Sequence, residues 1–260
     1  KIDTDKVQHL LKSSNSILGL EYMKWLKRLK SSIKPVPLKR MHSSYNDKSL
    51  DKPMASAAAL RKAVYERNYE SLKTHMPDYA SDIMLKQFDK GNGPVFIEDF
   101  EQPILCILRR MNTEDISKIA GVGEGLEYKI KSASLEYGTV DSLIGGIISK
   151  RYPKSRIKRI LINTLLGIEN KDLTVFKECG PKYIRVLGFS DKGRKLLQII
   201  KQKCPLPIIT NTADYRKYDD KLLRRMIEFD ILSTDIYATS FSNSSLRKGG
   251  LDFYKKPVML

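Results

Sequence analysis

The sequence is poor in the residues that build metal sites and disulfide frameworks. Its 260 residues hold three cysteines, Cys106, Cys179 and Cys204, far apart and without a Cys-x-x-Cys pair. That spacing excludes a zinc knuckle and a disulfide scaffold, and a reducing, cytoplasmic compartment is expected. The three histidines, His9, His42 and His75, are equally scattered, and none stands at a metal-ligand spacing. No apolar stretch approaches the roughly 18 residues of a membrane span, so no membrane partner is expected. There is no Walker loop, no Ser-His-Asp or Cys-His set and no carboxylate pair with a clear catalytic role. Asp230 and Asp235 flank an apolar segment and read as turn and capping residues. The chain opens on Lys1 with no signal-peptide pattern, so a fragment whose beginning is absent is expected.

Positive charge is what the sequence does have. Lys+Arg is 47 against Asp+Glu 30, a net +17, with a pI near 9.6. A surplus of this size favours a polyanionic partner, because protein cations release the counterions condensed on phosphates. The hydrophobic fraction of 41% is enough for a core, and the length fits one or two domains.

Residues 3–12 and 16–30 read as helices, the second amphipathic with Asn15 near its N-cap. Residues 33–40 carry Pro35 and Pro37 and read as an edge or terminal strand. A polar loop, 42–53, follows, and Ser56 is placed to cap an alanine-rich helix over 57–72. This order of helix, strand, loop and helix is the tail of an α/β unit. The loop around Gly91, Gly93 and Pro94 looks like a boundary. Beyond it the pattern predicts helices over 98–111, 113–120, 124–136, 139–148 and 154–167. A strand over 183–189, a helix over 191–203, a strand over 206–210 and a helix over 219–229 come next. Residues 240–260 receive no assignment.

Four stretches could carry chemistry. At Ala55–Lys62, small residues at a helix start let a phosphate approach the free amides, and Arg61 on the second turn could reach it; plain scaffold is the commoner meaning of such a helix. Asn15 could cap its helix or bond a nucleotide, and capping is the commoner role. The stretch Ile119–Ile130, with Gly121, Gly123 and Gly125, resembles the hairpin of a helix-hairpin-helix motif, whose glycines expose amides to phosphate. Glu124 opposes that contact, and an ordinary glycine turn remains equally open. Finally, six of the ten residues 150–159 are basic and none is acidic: Lys150, Arg151, Lys154, Arg156, Lys158 and Arg159. Pro153 suits the start of a helix on which Ile157, Ile160, Leu161 and Leu165 form the apolar stripe, leaving the cations outward. Tyr152 could stack on a base.

Taken in order, several stretches resemble the tRNA-Met cytidine acetate ligase family, whose members are nucleotidyltransferase-like. They are Asn15-Ser-Ile-Leu-Gly-Leu-Glu-Tyr22, Leu38-Lys-Arg40 with Tyr45, Ala55-Ser-Ala-Ala-Ala-Leu-Arg-Lys62, Glu124-Gly-Leu-Glu127, Lys150-Arg-Tyr152 with Arg156, Ile157 and Arg159, Tyr183-Ile-Arg-Val-Leu-Gly-Phe189 with Lys192-Gly-Arg194, Leu206-Pro-Ile-Ile209 and Asp235-Ile-Tyr237. The resemblance implies the C-terminal part of a Rossmann-like nucleotidyltransferase domain over 1–75. A largely helical RNA-binding domain over 76–260 follows, with a small α/β element at about 181–237. It implies an enzyme that activates acetate with ATP, Mg2+ being the counter-ion, and acylates N4 of a tRNA cytidine. Asn15 and Arg61 would contact ATP, and Ser56 with the amides after it would hold phosphate. Lys150, Arg151, Tyr152, Lys154, Arg156, Lys158 and Arg159 would hold tRNA. The sequence departs from the family in lacking its H-x-G-H motif, in placing Ala58 where relatives usually carry Thr, and in carrying Tyr128-Lys129 after Glu127 in place of Asn-Arg. As given, the chain is therefore expected to hold half of the active site and to be inactive alone. Two rivals stay open: a non-catalytic helix-hairpin-helix module, and a nucleotidyltransferase for a small phosphorylated metabolite.

Overall fold

A computed structural model describes residues 8, 11, 14–38, 49–51 and 55–260. The chain divides into two compact units, Lys1–Ser81 and Asp82–Leu260.

In the first unit, α1 spans Ser14–Arg28, α2 Ala57–Tyr65 and α3 Glu70–His75, and α4, Asp78–Asp89, runs across the division. Ser56 caps α2: its Oγ accepts from the Ala59 amide at 3.0 Å. This removes one of the free donors of the first turn. Asn68 N bonds Ala63 O and Arg67 N bonds Val64 O, with Arg67 at φ 58°. That is a Schellman closure, and it ends at Tyr65 the helix that the sequence predicts to run on to 72. Two further expectations are corrected here. Asn15 lies inside α1, not at its cap. Ile33–Leu38 form no strand, because Pro35 and Pro37 supply no ladder donors. Of the helix expected over 3–12 only Gln8 and Leu11 are described, both helical; its other residues, Lys39 and Arg40 of the expected strand, and most of the 42–53 loop fall outside the described residues.

The second unit is mainly helical. A short 3-10 turn, Ile97–Phe100, leads into α5 (Glu101–Arg110), α6 (Thr113–Lys118), α7 (Leu126–Glu136), α8 (Val140–Ile147), α9 (Lys154–Leu166) and α10 (Asn170–Cys179). One core joins α5 to α9. Ile104, Leu105 and Leu108 of α5 meet Ile130 of α7, Leu143, Ile144 and Ile147 of α8, and Ile157, Ile160 and Leu161 of α9. Each such buried side chain contributes roughly 1.5–3 kcal/mol. The predicted apolar stripe of α9 is thus the face turned inward. Some of the positive charge serves the fold as well. Lys131 of α7 donates to the carbonyls of Arg109 at 2.8 Å and Met111 at 2.7 Å, at the end of α5. Arg109 in turn donates to Ser134 O at 2.8 Å and Tyr137 O at 3.2 Å, at the end of α7. Each helix therefore lends a cation to the negative end of the other.

The remainder is the small α/β element. The strand expected over 183–189 is two: β1, Ile184–Arg185, and β2, Gly188–Phe189. Then follow α11 (Asp191–Lys203), β3 (Ile208–Ile209), α12 (Lys221–Ala238), α13 (Leu251–Tyr254) and β4 (Val258–Met259). β1 pairs in parallel with β3, and β2 in parallel with β4. The tail that received no assignment therefore completes the element. Asp230 and Asp235, expected at turns, lie within α12 and anchor its neighbours. Tyr183 donates its hydroxyl to Asp230. Burial, and then that carboxylate, push the phenol well above its usual range, which keeps it a donor. Asp235 accepts from Gly250 N at 2.7 Å.

Candidate nucleic-acid and nucleotide sites

The basic run sits where α9 begins, facing the glycine turn between α6 and α7. Pro153 immediately precedes α9, as its fixed φ allows. The turn is held by protein groups. Gly121 N donates to Asn170 Oδ1 at 3.0 Å, and Asn170 Nδ2 donates to Ser117 O at 3.2 Å and Val122 O at 3.1 Å. Asn163 Nδ2, from the buried side of α9, reaches Ala120 O at 2.8 Å. Gly121 and Gly125 both take positive φ, 94° and 79°. Gly121 therefore has no amide to offer a phosphate, and the helix-hairpin-helix reading loses its first donor. No sequence signal marked Asn163 or Asn170, since their partners lie 43 to 53 positions away.

Glu124 stands at the tip of this turn with φ 61° and meets Arg151 at 2.9 Å. The hydrogen bond from Arg151, and then its charge, hold the Glu124 carboxyl below its usual range. Lys154 pairs with Asp141 at 3.1 Å. The run with no acid in its own sequence thus finds two across the fold. Arg156 donates to Gly121 O at 3.1 and 3.3 Å, keeping its charge while bracing the turn. Among the described residues, the side chains of Lys150, Lys158 and Arg159 have no hydrogen bond or ion pair, so they present the most available charge.

Tyr152 corrects the sequence reading outright. It is 6% exposed, and its hydroxyl donates to Glu124 O at 3.0 Å. The guanidinium groups of Arg151 and Arg156 lie 5.8 and 5.3 Å from its ring centre. A base has no open ring face to stack on. The phenol ties the start of α9 to the turn and orients two arginines through cation–π contacts.

In the first unit, Asn15 and Arg61 are exposed and Ser56 is buried. The Ser56 hydroxyl is engaged by the cap, and the amides of Ala57 and Ala58 on the first turn stand next to small side chains. Arg61 lies on the second turn of α2 with no ion pair among the described residues. No hydrogen bond joins α1 to α2 among those residues. Nor is there a group of three or more His, Cys, Asp or Glu side chains suited to a metal ion among them. No helix of the described residues is long and apolar enough to cross a membrane.

The family model for HIGH Nucleotidyl Transferase matches residues 2–251. The chain belongs to this family. Within it, the sequence is 39% identical over 98% of its length to a protein named tRNA(Met) cytidine acetate ligase from Acetivibrio thermocellus. It is 42% identical over its whole length to the protein of the same name from Thermoanaerobacter sp.. It covers 62% and 63% of those two chains, so it spans about three-fifths of the relatives it matches. The crystal structure of apo TmcAL from Thermotoga maritima is similar with a TM-score of 0.91 and 31% identity, over 96% of this chain and 61% of that one. TmcAL from the same organism bound with alpha-thio ATP gives 0.88 and 30%, over 96% and 60%. The nucleotidyltransferase-like fold expected from the motifs is therefore present. Of the described residues the greater part is helical, with few strands.

Proposed function

We propose that this chain is part of an ATP-dependent ligase that activates a small carboxylate, acetate by the resemblance, and transfers the acyl group to a tRNA cytidine. A carboxylate oxygen attacks the α-phosphorus of ATP and pyrophosphate leaves, giving an acyl-adenylate. The cytidine N4 amine then attacks the acyl carbon, AMP leaves, and the amine loses its proton to solvent. Arg61 and Asn15 would hold the nucleotide, and the amides after Ser56 its phosphates. Fixed cations and backbone dipoles are what such a displacement needs as charge builds on phosphate. Mg2+ would bind on the triphosphate oxygens and offset their charge.

Lys150, Lys158 and Arg159, with Arg156 behind them, would grip the tRNA backbone, while Arg151 and Lys154 act through Glu124 and Asp141. Compartment follows the same reading: a cytoplasmic enzyme acting on tRNA. The observation that supports the proposal is the similarity, along nearly all of this chain and about three-fifths of theirs, to proteins named tRNA(Met) cytidine acetate ligase. It is tested with the intact protein by following acetate-dependent exchange of labelled pyrophosphate into ATP, then acetyl transfer to tRNA. Exchange that depends on no small carboxylate would end the ligase reading.

A further inference from the structure

A second basic site lies away from α9, in the small α/β element. A cleft of about 530 Å³ opens between one face of α11 and the chain's last ten residues. Its volume falls within the roughly 300–1,000 Å³ of ordinary ligand sites. Arg194, Leu197, Gln198 and Lys201 line one wall, at the i, i+3, i+4, i+7 spacing of a single helix face. Phe253, Lys255, Lys256 and Met259 line the other, and Phe189 is also in the lining. No acidic residue is among the lining groups.

Both walls are fixed. β4 pairs with β2, which places Met259 beside Phe189. Just before Phe253, Asp252 is 7% exposed; it meets Arg185 at 2.7 Å and accepts from Thr234 Oγ1 at 2.9 Å. That anchor positions Phe253 and the two lysines after it. The cations of the cleft are not consumed by the fold. Among the described residues, the side chains of Lys201, Lys255 and Lys256 have no hydrogen bond or ion pair, and that of Arg194 bonds only the Met259 sulfur, at 3.1 Å, with its guanidinium 5.9 Å from the Phe189 ring centre. Gln198 and Thr210 also keep their polar groups free among those residues.

We propose that this cleft takes an unpaired nucleotide of the RNA substrate, with its base against Phe189 and Phe253 and its flanking phosphates on Arg194, Lys201, Lys255 and Lys256. A phenylalanine beside cations is the platform that single strands use. Arg194 lies 5.9 Å from the Phe189 ring centre, so a base would take the opposite face of that ring. Phe253, packed on the core and 5.2 Å from Arg216, is the floor beside it, and the amide of Gln198 and hydroxyl of Thr210 can meet a base edge. A polymer fits better than a free nucleotide, because cations continue along α11 beyond the cleft at Lys192 and Lys195, both exposed. This rests on the tRNA reading above and adds to it a contact point separate from α9.

The test uses the intact protein with Arg194→Gln/Lys201→Gln on one wall and Lys255→Gln/Lys256→Gln on the other. All four side chains are exposed, so folding should survive; a melting curve checks it. With tRNA titrated at several salt concentrations, each pair should weaken binding about tenfold or more. Each should also flatten the slope of log K against log[salt] by about 1 to 1.5, as expected for two lost single-strand phosphate contacts. Acetate-dependent pyrophosphate exchange, which needs no RNA, should stay at the unsubstituted level. Unchanged tRNA affinity in both variants, or loss of exchange in step with it, would overturn the proposal. In an independent measurement, 5-iodouridine-substituted tRNA should photocrosslink to peptides containing Phe189 or Phe253, and adducts confined to residues 150–159 would refute it. Absence of exchange in the unsubstituted protein would instead defeat the ligase reading, and the two failures are therefore distinguishable.

Discussion

Glu124 and Arg151 meet at 2.9 Å although 27 positions separate them in sequence. The glycine turn and the start of α9 are thereby joined by an ion pair at the edge of the basic face. On the proposed tRNA reading this pair should oppose RNA binding, because the carboxylate neutralises a cation that would otherwise face a phosphate.

Glu124→Gln should therefore raise tRNA affinity several-fold and steepen its salt dependence by about one phosphate equivalent. Acid should act in the same direction on this group. Arg151 holds the folded pKa of Glu124 below its ordinary 4.5. The stabilising effect of the pair is thus fully present above that ordinary value and is lost as pH falls through the lower folded one. Binding curves at neutral pH and melting curves of wild type and E124Q from neutral pH down to about pH 2.5 check this. An unchanged salt slope in E124Q would show that Arg151 does not face RNA.

Arg159 and Arg156 should separate charge from structure. Arg159→Ala should weaken tRNA binding with no change in melting temperature. Arg156→Ala should weaken binding and also cost about 1 kcal/mol, because it removes the donor that braces Gly121 O. Equal behaviour of the two variants would mean that the turn does not depend on Arg156.

Tyr152→Phe should cost about 0.5–1.5 kcal/mol in denaturant unfolding, for the lost bond to Glu124 O, and leave tRNA affinity nearly unchanged. A large affinity loss at unchanged stability would restore the stacking role that burial denies it.

Ser56→Ala should lower stability by about 1 kcal/mol as a lost N-cap. Arg61→Ala should leave the melting temperature alone and raise the ATP concentration needed for half-maximal pyrophosphate exchange. Unaltered ATP dependence in R61A would remove Arg61 from the nucleotide site.

Local rules made much of this legible. The apolar stripe of α9, the Ser56 cap, the bounds of α11 and the clustering of charge at 150–159 all follow from neighbours within a turn or two, where propensity and periodicity act. They failed where a partner came from far along the chain or a backbone angle overruled a pattern. Arg67 in the left-handed region ended α2 early, and β4 was invisible until β2 supplied its hydrogen bonds.

The sequence by itself determined that this protein is a basic, mainly helical, cysteine-poor member of a nucleotidyltransferase-like family, because composition, helical spacing and ordered motifs are properties of the chain alone. Only the tertiary structure decided which cations are available. Glu124 and Asp141 approach Arg151 and Lys154 through folding, Lys131 and Arg109 turn inward to helix ends, and Arg194, Lys201, Lys255 and Lys256 converge from segments 54 to 62 residues apart. Electrostatic energy depends on distance in space, and a sequence records only distance along the chain.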